Sequence, residues 1–130
     1  MRLYSYLYQK SDKKYSIVHD LGGYDELSLT NNAKIVSNNT EKIFTPEELG
    51  LDTIDPISIL GGNSIKKASE IFKAIIMGKG TNEQNMVVCA NAGLAIATAK
   101  QITHKQGFEI AKESLFSGKA KTVLTKLINL

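Results

Sequence analysis

The sequence predicts an α/β fold in which a partial sheet, one strand plus a hairpin, is followed by an all-helical C-terminal half. Three observations carry this. Short β-branched runs are confined to residues 15–44. Helix-capping patterns recur at 45–48, 81–84 and 103–106. After Gly61 and Gly62 the apolar residues take up helical spacing and keep it to the end.

Leu3, Tyr4, Leu7 and Tyr8 share one helical face, so residues 2–10 predict a helix, and "SDKK" a turn. "YSIVH", 15–19, is short and β-branched in its middle and predicts a strand. "KIVS" and "EKIF" flank "NNT" and predict a hairpin. A lone strand must satisfy its backbone groups, so 15–19 either joins that hairpin or pairs with another polypeptide segment. Because these strands look too few for a self-contained sheet, the chain is expected to be a piece of something larger.

"TPEELG" carries a short-helix signature: Thr45 as cap, Pro46 in the first position, Glu48 closing a capping box and Gly50 as the stop. Asn63 is expected to cap a helix running to Met77, with Gly78 ending it. Thr81 and Gln84 open a helix over 82–100 that is apolar almost all round and therefore expected to be buried. Thr103 and Gln106 open another over 104–117. The last helix puts Ala120, Val123, Leu124, Leu127 and Ile128 on one stripe.

Composition narrows the function. At 130 residues the chain holds one domain at most, and 42% hydrophobic with 22% charged residues suits a soluble globular protein. The net charge of +3, with no Lys/Arg block interleaved with aromatics, argues against a nucleic-acid partner. Residues 1–63 carry 6 basic and 9 acidic side chains and residues 64–130 carry 10 and 4, net −3 against +6. Attraction of phosphates is one reading of that asymmetry; lysines solvating helix faces is the plainer one. The single cysteine, Cys89, sits in an apolar run, so no disulfide forms within the chain, a reducing cytoplasm fits, and core packing explains it better than reactivity. The stretch 86–99 contains Asn91 and falls short of the about 18–20 residues that span a bilayer, so no membrane partner is expected.

The chemistry-bearing stretch is "VHDLGGYDELSLT", 18–30, which places two adjacent carboxylates, Asp25 and Glu26, in a glycine-marked loop straight after a strand. Mg²⁺ takes oxygen ligands, commonly one or two carboxylates plus substrate phosphates and water. Gly22 and Gly23 permit the sharp backbone path. An Asp-Glu dipeptide on a loop is also commonly just solvated, and residues alone leave both readings open. His19 could be a base or ligand, but bonding to a neighbouring loop backbone is the plainer expectation. His104 has no partner in sequence and is expected on the surface. "GKGT", 78–81, lacks phosphate-loop spacing and follows no strand, so its glycines serve a helix stop and start. "LGGNS", 60–64, is likewise explained by helix entry.

"YSIVHDLGGYDELSLTNNAKI" resembles the segment of anthranilate phosphoribosyltransferases that reads roughly "VVHGxDGLDExSLTGPTxV". "EKIFTPEELGL", "ILGGNSIKKASEIFKAIIMGKGT", "NMVVCANAGLAIATA" and "GFEIAKESLFSGKAKTVLTKLI" continue the resemblance in order over nearly the whole chain. The first piece is the most specific. Asn31 and Asn32 stand where many members have Gly-Pro, which reads as loop variation.

The resemblance implies the C-terminal portion of a phosphoribosyltransferase/nucleoside-phosphorylase-like domain. Residues 1–130 would form the C-terminal part of its α/β domain, beginning at Met1 inside a helix, without the N-terminal helical domain or the glycine-rich phosphate loop. It implies transfer of the phosphoribosyl group of phosphoribosyl pyrophosphate to anthranilate in tryptophan biosynthesis, in a cytoplasmic homodimer, with this chain inactive alone. It assigns Mg²⁺ to Asp25 and Glu26 and places no catalytic or substrate-contacting residue in this chain. The alternatives are a segment of a related pyrimidine nucleoside phosphorylase, and a standalone non-catalytic module using its helical half for dimerisation or partner binding.

Overall fold

The computed structural model describes residues 2–38 and 40–129. Met1, and Asn39 within the predicted hairpin turn, lie outside the described residues. Helix α1 (Arg2–Tyr8) leads into strand β1 (Ser16–Asp20), followed by β2 (Ala33–Ser37) and β3 (Glu41–Phe44). Short 3-10 turns at Pro46–Leu49 and Pro56–Ile59 then precede α2 (Ile65–Ile76), α3 (Asn82–Lys100), α4 (His104–Phe116) and α5 (Lys119–Ile128).

The question of β1's partner has a direct answer. β1 pairs antiparallel with β2, Ile17 opposite Val36 and Val18 opposite Ile35, and β2 pairs with β3, Ala33 opposite Phe44. The sheet order is β1-β2-β3. The strand joins the hairpin, so strand count by itself does not call for a partner outside the chain. Because side chains alternate along a strand, Ala33 and Ile35 face inward with Phe44 across from Ala33.

That inner face packs with α3 and α4 into a core of Leu27, Leu29, Ile35, Phe44, Cys89 and Phe108, joined by Met86, Ala111 and Leu115. The two helices approach closely because Gly93 and Gly107 meet at their contact. A Cβ on Gly93 would lie 2.6 Å from Phe108 Cα, and one on Gly107 would run into the Gly93 carbonyl. Both helices start at the predicted boxes. The Gln84 side chain accepts from Thr81 N–H at 3.1 Å and that of Gln106 from Thr103 N–H at 3.0 Å.

Two helix expectations need correction. The cap of α2 is Ser64, whose hydroxyl accepts from Lys67 N–H at 3.2 Å, rather than Asn63. Helix α3 is buried on one side only: Cys89 and Ala90 are enclosed, while Val88 is 41% exposed. The apolar stripe of α5 lies largely open, with Val123, Leu127 and Ile128 exposed, and α2 buries no residue fully. Periodicity tells which face a helix would bury, not whether a cover stands opposite it. Among the described residues no single helix is long and apolar enough to cross a membrane.

Candidate metal-binding loop

Loop 21–32 begins where β1 ends, and Asp20 organises it. Its carboxylate is wholly buried, and both oxygens accept hydrogen bonds. Oδ1 accepts from Gly22 N–H at 2.7 Å; Oδ2 accepts from Ser28 N–H at 3.2 Å and Ser28 Oγ–H at 2.6 Å. Such compensation makes a buried carboxylate tolerable. With its proton directed at Asp20, Ser28 Oγ accepts from Thr30 N–H at 3.0 Å and lies 2.8 Å from Thr30 Oγ1, which in turn accepts from the Asn31 amide at 3.0 Å. A relay of donors therefore ends on Asp20.

The backbone follows this arrangement. Asp20 N–H donates to Tyr24 C=O at 3.1 Å and Leu21 N–H to Asn32 C=O at 2.9 Å, closing the loop at its base. Gly23 turns at φ 101°, a conformation that favours glycine. Buried Leu29 adopts φ 61°, unusual for a branched residue, which directs its carbonyl to Ile54 N–H at 3.0 Å.

A third anchor comes from α3. Asn91 Oδ1 accepts from Leu27 N–H at 2.9 Å, and its Nδ2 donates to Leu27 C=O at 2.8 Å and Val87 C=O at 2.9 Å. The outcome is a loop whose 27–30 stretch is buried while Asp25 and Glu26 stand exposed beside it. Among the described residues, neither carboxylate makes a hydrogen bond or ion pair. Sequence reasoning singled out the pair but missed Asp20 and Asn91. The available signals were an Asp at the end of a strand, one residue before a double glycine, and an Asn inside an apolar helical run.

The donor set suits a hard cation. Among the described residues no three His, Cys, Asp or Glu side chains converge as a metal-binding group. Asp25 and Glu26 are adjacent oxygen donors, the ligand type that hard cations take.

The remaining candidates fall elsewhere. His19 is exposed on β1, opposite in direction to Asp20, and its side chain makes no hydrogen bond among the described residues. His104 is not on the surface as expected. Its Nε2 lies 2.9 Å from Ala90 C=O, its ring centroid 5.0 Å from that of Phe44, and burial holds its pKa below the usual value, with Lys42 acting in the same direction. Cys89 is buried, and loss of hydration pushes its thiol up to about 11, so it is an inert core residue. In "GKGT", Gly78 at φ 70° ends α2, and the Gly80 carbonyl accepts from the Asn85 amide at 3.0 Å. In "LGGNS", Gly62 at φ 86° leads into the Ser64 cap. Helix boundaries account for both.

Residues 3–121 match the model of the glycosyl transferase family, a/b domain. The chain is 50% identical over 126 residues to the anthranilate phosphoribosyltransferase of Flavobacterium psychrophilum, an alignment covering 97% of this chain and 38% of that protein. The chain thus spans little more than a third of the relatives it matches. Among solved structures, the anthranilate phosphoribosyltransferase of Thermus thermophilus superposes with a TM-score of 0.75 at 27% identity, over 85% of this chain and 33% of that one. The Saccharomyces cerevisiae enzyme in complex with PRPP and Mg superposes with a TM-score of 0.77 at 20% identity, over 88% and 33%, a likeness of fold.

Proposed function

The chain belongs to the glycosyl transferase family, a/b domain, and from that premise we propose that residues 1–130 form the C-terminal part of the α/β domain of a Mg²⁺-dependent anthranilate phosphoribosyltransferase. It acts in tryptophan biosynthesis, in the cytoplasm, as a homodimer, and the chain alone is inactive. The observation that carries the reading is the unpaired Asp25–Glu26 couple on a loop fastened from two sides. A yeast relative captured with PRPP and Mg supports the choice of ion and substrate.

In this reading Asp25 and Glu26 would hold the Mg²⁺ that accompanies phosphoribosyl pyrophosphate. Bound there, Mg²⁺ would supply positive charge to offset that of the pyrophosphate leaving group. Asp20 keeps the loop backbone closed, which spares the two exposed carboxylates from internal bonding. Anthranilate and the phosphate cradle are met by residues outside this chain. The open apolar faces of α2, α3 and α5, with a groove of about 270 Å³ lined by Ile59, Ile71, Phe72 and Val88, fit cover by further polypeptide. They also favour the second reading, a self-associating module. Light scattering separates the two: a stable, well-folded homodimer of the chain alone would speak for the module.

The test is Asp25→Asn with Glu26→Gln in the complete transferase. We predict a rate at fixed Mg²⁺ lower by on the order of 100-fold, with folding intact. An unchanged Mg²⁺ dependence in steady-state kinetics would overturn the assignment. The chain by itself should not consume anthranilate, and turnover by it would refute the statement that it is inactive alone.

A further inference from the structure

Asn91 does more than fill a polar position in α3, and its bonding shows what. Its amide reads both polar groups of one residue, Leu27, as a neighbouring strand would: Oδ1 takes the N–H at 2.9 Å and Nδ2 gives to the C=O at 2.8 Å. The second Nδ2 hydrogen goes to Val87 C=O, one turn back on its own helix, so both donors are used and the amide plane is set. The Leu27 N–H belongs to the peptide that Glu26 begins. The Leu27 C=O belongs to the peptide whose N–H, that of Ser28, is held by Asp20 Oδ2 at 3.2 Å. One peptide is therefore gripped at its oxygen by α3 and at its nitrogen by the end of β1, directly after the acidic pair. The partners lie 64 residues apart in the chain, which makes this a tertiary contact and not a local turn.

We infer that Asn91 is a positioning residue for the Asp25–Glu26 rim, setting the height and rotation of both carboxylates above the sheet edge through the Leu27 backbone. The inference rests on the reading of that rim as a cation site. Asn91 touches neither metal nor substrate; it narrows the places the two carboxylates can occupy. Without it, the loop retains Asp20 at its base but loses its only side-chain anchor from α3 among the described residues, and two ligands that must converge on one ion spend more time apart.

The experiment uses the complete transferase, numbered as this chain, with Mn²⁺ and inorganic pyrophosphate as probes. Paramagnetic broadening of backbone amides is followed by NMR. The exposed Glu47–Glu48 pair serves as an internal reference that Asn91 does not contact. In the wild type, broadening should centre on residues 24–27. In Asn91→Ala the apparent affinity at that loop should fall about tenfold, with broadening at 47–48 unchanged and exchange of the Leu27 amide proton accelerated. Should Asn91→Ala not fold, Asn91→Asp serves instead. It keeps the size and the acceptor for Leu27 N–H but sets an oxygen against the Leu27 and Val87 carbonyls, and the same weakening is expected.

An amide of merely structural worth would lower the melting temperature and leave Mn²⁺ affinity of the folded protein as it was, and that result overturns the inference. Asp25→Asn with Glu26→Gln separates the two levels. Loss of broadening in that variant, with Asn91 variants binding normally, refutes the positioning role alone. Persistence of broadening in it refutes the cation site itself, and the positioning role with it.

Discussion

The molecule carries two pairs of adjacent exposed acids, Asp25–Glu26 and Glu47–Glu48, and they are put to opposite uses. Glu48 forms an ion pair with Lys42, and its carboxylate accepts the Thr45 N–H at 3.2 Å, completing the turn at Pro46–Leu49. Glu47 is held below the usual carboxylate range by the Thr45 side chain and then by its own backbone. In the second pair Glu48 is thus committed to local structure. In the first pair the local bonding has been delegated to neighbours: Asp20 closes the loop, Asn91 anchors it, and the two carboxylates remain uncommitted. The difference lies in which residues carry the structural bonding around each pair.

The largest expected effect tests the scaffold shared by both pairs. Gly107→Ala would force a methyl group against the Gly93 carbonyl and should cost on the order of 3 kcal/mol of stability, read from denaturant unfolding. An unaltered midpoint would mean that the α3–α4 contact does not support the loop. Next comes Asp20→Ala, which strips three hydrogen bonds from a buried carboxylate and leaves the Ser28 donors unpaired. We predict a loss of about 2 kcal/mol, with exchange protection lost at Gly22 and Ser28 and kept at Glu48. If the two regions lose protection together, the comparison between them fails.

Glu48→Gln should cost about 1 kcal/mol through the weakened cap and ion pair while leaving cation binding at 24–27 intact. The matching change Asp25→Asn with Glu26→Gln should leave stability within about 0.5 kcal/mol, because exposed groups without partners contribute little. Equal stability losses from the two pairs would erase the distinction drawn between them. The smallest effect is acid-dependent. The folded His104 has a pKa below its usual 6.5, so the unfolded chain binds the proton more readily. Stability tied to the neutral ring is complete above about pH 6.5 and declines as pH falls below it. Melting between pH 5 and 7 should show that slope and His104→Leu should lack it. The charged neighbours are Lys42 and Glu48, so the acid effect should register near the second pair and not at loop 21–32.

Local signals were read well where both partners of a bond lie within one turn. The boxes Thr81–Gln84 and Thr103–Gln106 start α3 and α4 as expected, and α3 runs over 82–100 as predicted. The misassigned cap of α2 shows the limit of that approach. Asn63 and Ser64 are both able caps, and Gly62 at φ 86° with Ser64 in an extended conformation makes the choice. His104 was misjudged because its partners, Ala90 and Phe44, belong to other elements.

By itself the sequence determined the α/β class, the succession of elements, the acidic pair and the resemblance that gives the pair a meaning. These depend on periodicity, capping and turn chemistry, whose interactions close within a few residues. Only the tertiary structure decided that β1 completes the sheet, that α2 and α5 leave apolar faces open, and that Asp20 and Asn91 hold the loop from β1 and α3. Those outcomes rest on groups brought together across the chain, where a buried carboxylate or amide is stable only if distant backbone partners arrive to satisfy it.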